Sequence, residues 1–308
     1  MESFFIALAT VGVMLLYACP GYIMVKTGLI KSNAIADFAK LLMYVCQPAL
    51  TVYSFMQVDF SAAMVGNMVF VFLFVLILFA AALLFLRFAV FRKRAKDVRF
   101  RIYTLALCFS NCAFMGVPVL EALLPGYPQA VAFSAMFALA MNVLGWTLAS
   151  AIITNDRKYM SAKKILLNPA VVSLIVAVPL FVSGASLPSQ LDGMVTLLAR
   201  MTTPLCMLIM GMRLATVALR SVFARPIQYL IIILKGFAFP LLALGLLMLF
   251  PVEERLRTAV YIMMACPTAS VVLNFAEMLG EGQEYAANLV LLSTLFSALT
   301  IPVMVLLV

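Results

Sequence analysis

The sequence predicts an all-α integral membrane protein: ten transmembrane helices, arranged as two inverted five-helix repeats with broken fourth and ninth helices. Three observations carry that prediction. Of the 308 residues, 66% are hydrophobic and 11% charged, against roughly 45–50% apolar and about 25% charged in a soluble domain. The charged residues collect in gaps between apolar runs, and each run is long enough for a helix of about 20 residues to span a bilayer. The second half also repeats the first at a fixed offset.

The apolar windows cover approximately residues 4–25, 34–55, 64–91, 101–124, 129–153, 165–183, 190–211, 226–250, 255–280 and 285–308. The first window opens with Met1-Glu2-Ser3 and lacks the basic flank of a secretory signal, so it is expected to stay as a mature helix. Gaps are marked by Lys26 to Asn33, Gln57 to Ser61, Arg92 to Arg101, the turn Pro125-Gly126-Tyr127-Pro128, Asn155 to Lys164, Gly184 to Gln190, Arg213 to Arg225, Pro251 to Glu254 and Gly280 to Glu284. Such short connections predict antiparallel neighbours.

Net charge is +9, yet the basic residues lie between membrane spans and predict cytoplasmic loops, not a nucleic-acid surface. Alternate loops hold Lys26 and Lys31, then Arg87 with the run from Arg92 to Arg101, then Arg157, Lys158, Lys163 and Lys164, then Arg213, Arg220 and Arg225. The opposite loops hold only Arg255 and Arg257. This bias predicts both termini outside, in the periplasm of a bacterium whose inner membrane holds the protein.

At an offset of 156 residues Gly28 meets Gly184, Pro48 meets Pro204, Arg99 and Arg101 meet Arg255 and Arg257, and Glu121 meets Glu277. The halves are residues 1–154 and 165–308. Five helices is an odd number, so the second repeat would enter the membrane from the opposite side, the arrangement that gives a carrier two related states.

In the fourth span, Ser110-Asn111-Cys112-Ala113-Phe114-Met115-Gly116-Val117-Pro118 places polar residues, Gly and Pro at mid-membrane. Pro removes a backbone donor and Gly weakens a helix by about 1 kcal/mol relative to Ala, so a continuous helix is disfavoured. The ninth span carries Cys266-Pro267-Thr268-Ala269-Ser270 at the matching place. Paired interruptions of this kind mark a transporter binding site, with half-helix N-termini suited to an anion. Further breaks are expected at Pro48 and Pro204, alongside those at Pro118 and Pro267.

The Ser110–Pro118 motif resembles the fourth helix of the auxin efflux carrier family, whose bacterial members include malonate and other organic-acid permeases. The resemblance covers the ten spans, the Gln47-Pro48 break and Pro267. It implies a scaffold part and a transport part, with the fourth and ninth helices crossing as an X beside the substrate. At fold level the chain is also similar to bile-acid sodium symporters. Those place a carboxylate beside the ninth-helix crossing, where this sequence has Pro267-Thr268-Ala269-Ser270, so a proton is the expected coupling ion in place of sodium.

Three basic residues fall inside spans. Lys40 lies near a helix end, can snorkel and has Asp37 beside it. Arg200 and Lys235 lie near mid-span, where an ionised side chain costs at least ~2.5–3.5 kcal/mol; either pairs with an acid inside the protein or meets the substrate. Asp37 and Lys235 are the candidate carriers of a coupling proton. The candidate substrate site is therefore Ser110, Asn111, Gly116, Pro267, Thr268, Arg200 and Lys235. Glu121 and Glu277 sit toward helix ends and are expected at the interface.

Histidine is absent and all six cysteines lie in apolar runs, so neither a metal site nor a cofactor is expected. With no mid-depth carboxylate pair and no serine beside a base, an enzyme is disfavoured. The expected function is secondary transport of a small organic anion, a mono- or dicarboxylate, with a channel or receptor-like sensor on a transporter scaffold as the alternative. Expected partners are that anion, the coupling proton, the bilayer and a second copy in a homodimer, with no nucleic acid.

Overall fold

The computed structural model describes residues 1–308, the side chains of Arg157 and Leu219 excepted. Arg157, one of the basic loop residues, thus has its side chain outside the described part. Among the described residues seven helices are long and apolar enough to cross a membrane: α1 (Glu2–Lys26), α2 (Ser32–Met56), α3 (Ala62–Val90), α6 (Gln129–Thr154), α8 (Ser189–Thr216), α9 (Pro226–Leu247) and α12 (Gln283–Val305). The remaining apolar segments are shorter. These are α4 (Val98–Cys108) with α5 (Cys112–Leu123), α7 (Pro169–Ser183), and α10 (Glu254–Ala265) with α11 (Val271–Leu279). The fourth and ninth predicted spans are thus each divided in two, and the sixth is short.

Large apolar side chains such as Ile77, Phe85, Ile175 and Leu197 are exposed on the outside, as expected where the solvent is lipid. The core between helices is aromatic in part, with Phe79 packed on Phe137 and Phe239 at ring separations of 5.7 and 4.9 Å. α1, α2, α7 and α8 pack on one another, while α3, α6, α9 and α12 pack around the divided helices.

Helix starts follow ordinary capping chemistry. Ser61 accepts from the Met64 amide at the head of α3, and Asp97 accepts from the Arg99 amide at the head of α4. The Arg99 guanidinium bonded to Asp97 holds that carboxyl below the usual carboxylate range, so the cap stays ionised at neutral pH.

Prolines do different things here than their sequence positions suggest. In α2, α5 and α9 a π-helical turn ends two residues before a proline: Leu42–Cys46 before Pro48, Cys112–Gly116 before Pro118, and Leu234–Ala238 before Pro240. A proline ring collides with the carbonyl four residues earlier, and a widened turn moves that carbonyl aside. The expected breaks at Pro48 and Pro118 are therefore each a π turn inside a helix that continues, and the fourth span parts earlier, at Phe109 to Asn111. At Pro204 the expectation of a break is corrected too, since α8 runs unbroken from Ser189 to Thr216 with Pro204 inside it. One missing N–H is tolerated in a membrane helix when neighbours satisfy the freed groups.

α1 and α8 approach backbone to backbone. A Cβ placed on Gly211 would lie 1.8 Å from the Ala18 carbonyl oxygen, and one on Gly21 would lie 2.1 Å from that of Leu208. Small residues at helix contacts permit this approach in membranes, where packing in place of water exclusion drives association.

Candidate functional site

The divided helices meet where both are unwound. Ser110 and Thr268 form an antiparallel bridge, in which the Asn111 amide donates to the Pro267 carbonyl (2.8 Å) and the Ala269 amide donates to the Phe109 carbonyl (2.9 Å). Irregular backbone in mid-membrane needs its polar groups satisfied within the protein, and here each unwound segment satisfies the other. The Thr268 hydroxyl donates to the Ala106 carbonyl (3.0 Å) near the C-terminal end of α4, and the Thr268 amide donates to the Ser293 hydroxyl (3.1 Å) on α12.

Proline chemistry ties the second half-helix to its neighbour. Pro118 takes the usual hydrogen-bond donor from the Phe114 carbonyl, and the Thr203 hydroxyl of α8 donates to that oxygen at 2.8 Å. The Ser134 hydroxyl of α6 donates to the Cys112 carbonyl (3.1 Å) in the same π turn. Gly116 packs on α10, where a Cβ would meet the Cys266 sulfur at 3.4 Å.

Lys235 reaches the crossing from α9. It is 1% exposed, and its Nζ donates to the Ser110 hydroxyl and, at 3.4 Å, to the Met264 carbonyl. Asn111 is 5% exposed, and its side-chain amide makes no hydrogen bond among the described residues, including no cap to the turn it precedes. The other expected residues of the crossing are engaged by the protein itself.

Beside the crossing lies a cavity of about 490 Å³, within the range of small-molecule sites. α1 contributes Thr10, Val13, Met14 and Tyr17, α2 contributes Leu50 and Tyr53, α5 contributes Val117, Pro118 and Glu121, and α8 contributes Arg200, Thr203 and Pro204. A second void of about 20 Å³, the size of one water, lies behind Leu50 and Val117. Gln47, Thr51, Ser54 and Ser134 give it polar walls, and Ala113, two residues past Asn111, also lines it.

Of the sequence-predicted residues, Arg200, Pro118 and Pro204 line the large cavity, whereas Ser110, Asn111, Gly116, Pro267, Thr268 and Lys235 gather at the crossing. Asp37 lies elsewhere, in an exposed pair with Lys40 at 2.8 Å. Glu277 pairs with Arg213 at 2.6 Å. Glu121, expected at the interface, instead shares the cavity wall with Arg200, and among the described residues no ion pair involves either. Its placement three residues after Pro118 was the available signal, since residues so spaced share a helix face. Tyr17 and Tyr53 stand in runs that nothing in the sequence distinguishes from other spans.

A family model described as membrane transport protein matches residues 4–162 and again 153–305. The chain belongs to that family. It is the auxin efflux carrier family that the Ser110–Pro118 motif resembles, and the protein is accordingly an integral membrane transporter. A comparison with curated proteins finds no match. For a membrane transport protein, a cavity walled by a half-helix, two prolines and one arginine is the natural candidate for the solute site.

Proposed function

We infer that this transporter is a secondary carrier of a small organic anion, a mono- or dicarboxylate, working by alternating access around the crossing of the divided helices. The observation that carries this is Arg200, a guanidinium outside any ion pair among the described residues, in the wall of a cavity of about 490 Å³ against α5. A planar guanidinium matches a carboxylate with two parallel hydrogen bonds. Tyr17, Tyr53, Thr10 and Thr203 add hydroxyls for the rest of the solute. Lys235, enclosed behind the crossing, adds positive potential without reaching the cavity wall.

The architecture behind this proposal is ten spans in two inverted repeats, residues 1–154 and 165–308. Hydrogen bonds near the crossing support it, because they join positions about one repeat apart. The Thr202 hydroxyl reaches the Cys46 carbonyl, 156 residues away, and Ser110 and Met264 are separated by 154. Groups near a pseudo-two-fold axis are expected to touch their own counterparts. In this scheme α1, α2, α7 and α8 form the scaffold, the divided helices move with the rest, and a proton is the coupling ion in place of sodium.

Asn111 is assigned to the solute because its side-chain amide stands at the crossing with no hydrogen bond to the protein among the described residues, and a hydrogen bond it gains from a solute would be worth about 1–3 kcal/mol. Asn111→Ala is expected to lose about tenfold or more in affinity for the carried carboxylate while its melting temperature stays within a few degrees of the parent's. Isothermal titration with malonate and other carboxylates checks this, and wild-type affinity for a bound carboxylate in the variant would remove Asn111 from the site.

Both termini are proposed to lie outside the bacterial inner membrane. Cys19 is exposed and the other five cysteines are buried, so a Cys19→Ser background suits labelling with an impermeant thiol reagent. A cysteine added before Met1 or after Val308 should react in intact cells. Protection at both ends would reverse the orientation.

A further inference from the structure

Lys235 stands in a π turn of α9, Leu234–Ala238, an irregularity frequent at functional positions. Its surroundings are those of a cation site. Met264 is the last residue but one of α10, and Ser110 lies two residues beyond the end of α4. Nζ therefore sits where two half-helices end, bonded to the Met264 carbonyl of α10 and to the Ser110 hydroxyl just beyond α4, near the negative ends of both dipoles. The rings of Phe79 and Phe239 flank it, with centroids at 5.8 and 5.4 Å. None of the ion pairs among the described residues includes it. Neutral oxygens, helix C-terminal dipoles and aromatic faces suit a small monovalent cation and offer nothing to an anion.

We propose that the Lys235 ammonium is a tethered cation, filling a monovalent-cation site at the C-terminal ends of α4 and α10, so that the crossing is held together without a free metal ion. The ammonium joins the end of α10, through the Met264 carbonyl, to the segment beyond α4, through the Ser110 hydroxyl, whose residue is paired with Thr268. This role needs the ammonium in its charged form.

The test is cation rescue. Lys235→Ala removes the equivalent of propylammonium, leaving an oxygen-lined void of matching shape. Melting temperatures of purified wild type and variant in detergent are compared in choline chloride, sodium chloride and propylammonium chloride at equal ionic strength, with propan-1-ol as the neutral isostere. Wild type should melt at the same temperature in all of them. The variant should melt several degrees lower in choline and recover, saturably, in propylammonium or sodium but not in propanol.

Lys235→Met restores the volume of the stem without the charge, and it should also melt well below wild type. For a variant too unstable to melt, the fraction eluting as one sharp peak after solubilisation in each salt replaces the melting temperature. A Lys235→Ala protein that no cation stabilises, a Lys235→Met protein as stable as wild type, or a wild type stabilised by sodium over choline would each overturn the proposal. Because stability is the readout, these outcomes are independent of which solute is carried.

Discussion

Arg200→Gln is expected to weaken carboxylate binding by about ten- to a hundredfold, with much smaller loss for an uncharged analogue of the same shape. Arg200 is exposed without solute, and losing a charge-assisted hydrogen-bonded contact costs about 1.5–3 kcal/mol, each 1.4 kcal/mol being about tenfold in affinity. The guanidinium is placed to make that contact, since it lines the cavity beside Pro204 and Thr203 and lies in no internal ion pair among the described residues. Glu121 is the one group that complicates the expectation. It lies on the same wall, and its charge opposes an incoming anion. Glu121→Gln alone should therefore tighten carboxylate binding, and in the double variant the loss due to Arg200 should persist. Had Arg200 served chiefly to balance Glu121, Arg200→Gln would destabilise the fold, and Glu121→Gln would restore it with anion selectivity unchanged. Titration calorimetry and melting curves on the three variants separate the two accounts.

Gly211→Val is expected to abolish most of the folded protein. The added Cβ would fall 1.8 Å from the Ala18 carbonyl oxygen, which is backbone and cannot swing away as a side-chain tip can. α1 and α8 would have to separate, undoing the matching approach of Gly21 to Leu208 and opening the cavity that both helices wall. Gly12→Ala supplies the control, because nothing lies within 4 Å of its would-be Cβ. There the better helix propensity of Ala should stabilise by up to about 1 kcal/mol. Fluorescence-detected size-exclusion of tagged proteins reads both, with the Gly211→Val peak lost and the Gly12→Ala peak equal to or taller than the parent's. A full Gly211→Val peak would mean that the two helices do not pack as closely as described.

Why some of this was legible in the sequence and some was not follows from the chemistry of particular residues. Composition and charge spacing reveal membrane spans because hydrocarbon admits few polar side chains, and the bend of the chain at Asn111 showed because Ser, Asn, Gly and Pro concentrate within nine residues. Pro204 misled for a physical reason. A proline removes one hydrogen bond wherever it stands, but whether the helix parts, widens or carries on depends on what its neighbours offer, and α8 carries on. The π turns before Pro48, Pro118 and Pro240 are the middle outcome. Lys235 and Arg200 looked alike as mid-span cations, yet one is enclosed by carbonyls and rings while the other faces a cavity. That difference is set by helix rotation and by contacts more than a hundred residues away in sequence, such as Ser110 to Lys235. Glu121 and the glycines at 21 and 211 were hidden likewise, because their partners lie on other helices.

The central claim is that the cavity beside the crossing carries a small organic anion through alternating access, and solute counterflow tests it most directly. Purified protein is reconstituted into liposomes loaded with unlabelled malonate, and trace labelled malonate is added outside. The account predicts transient accumulation of label that saturates with concentration, is competed by other small carboxylates and is lost in Arg200→Gln. Flux that rises linearly with concentration at rates far above carrier turnover would contradict it in favour of a channel, and the absence of counterflow with every mono- and dicarboxylate tried would contradict the anion assignment itself.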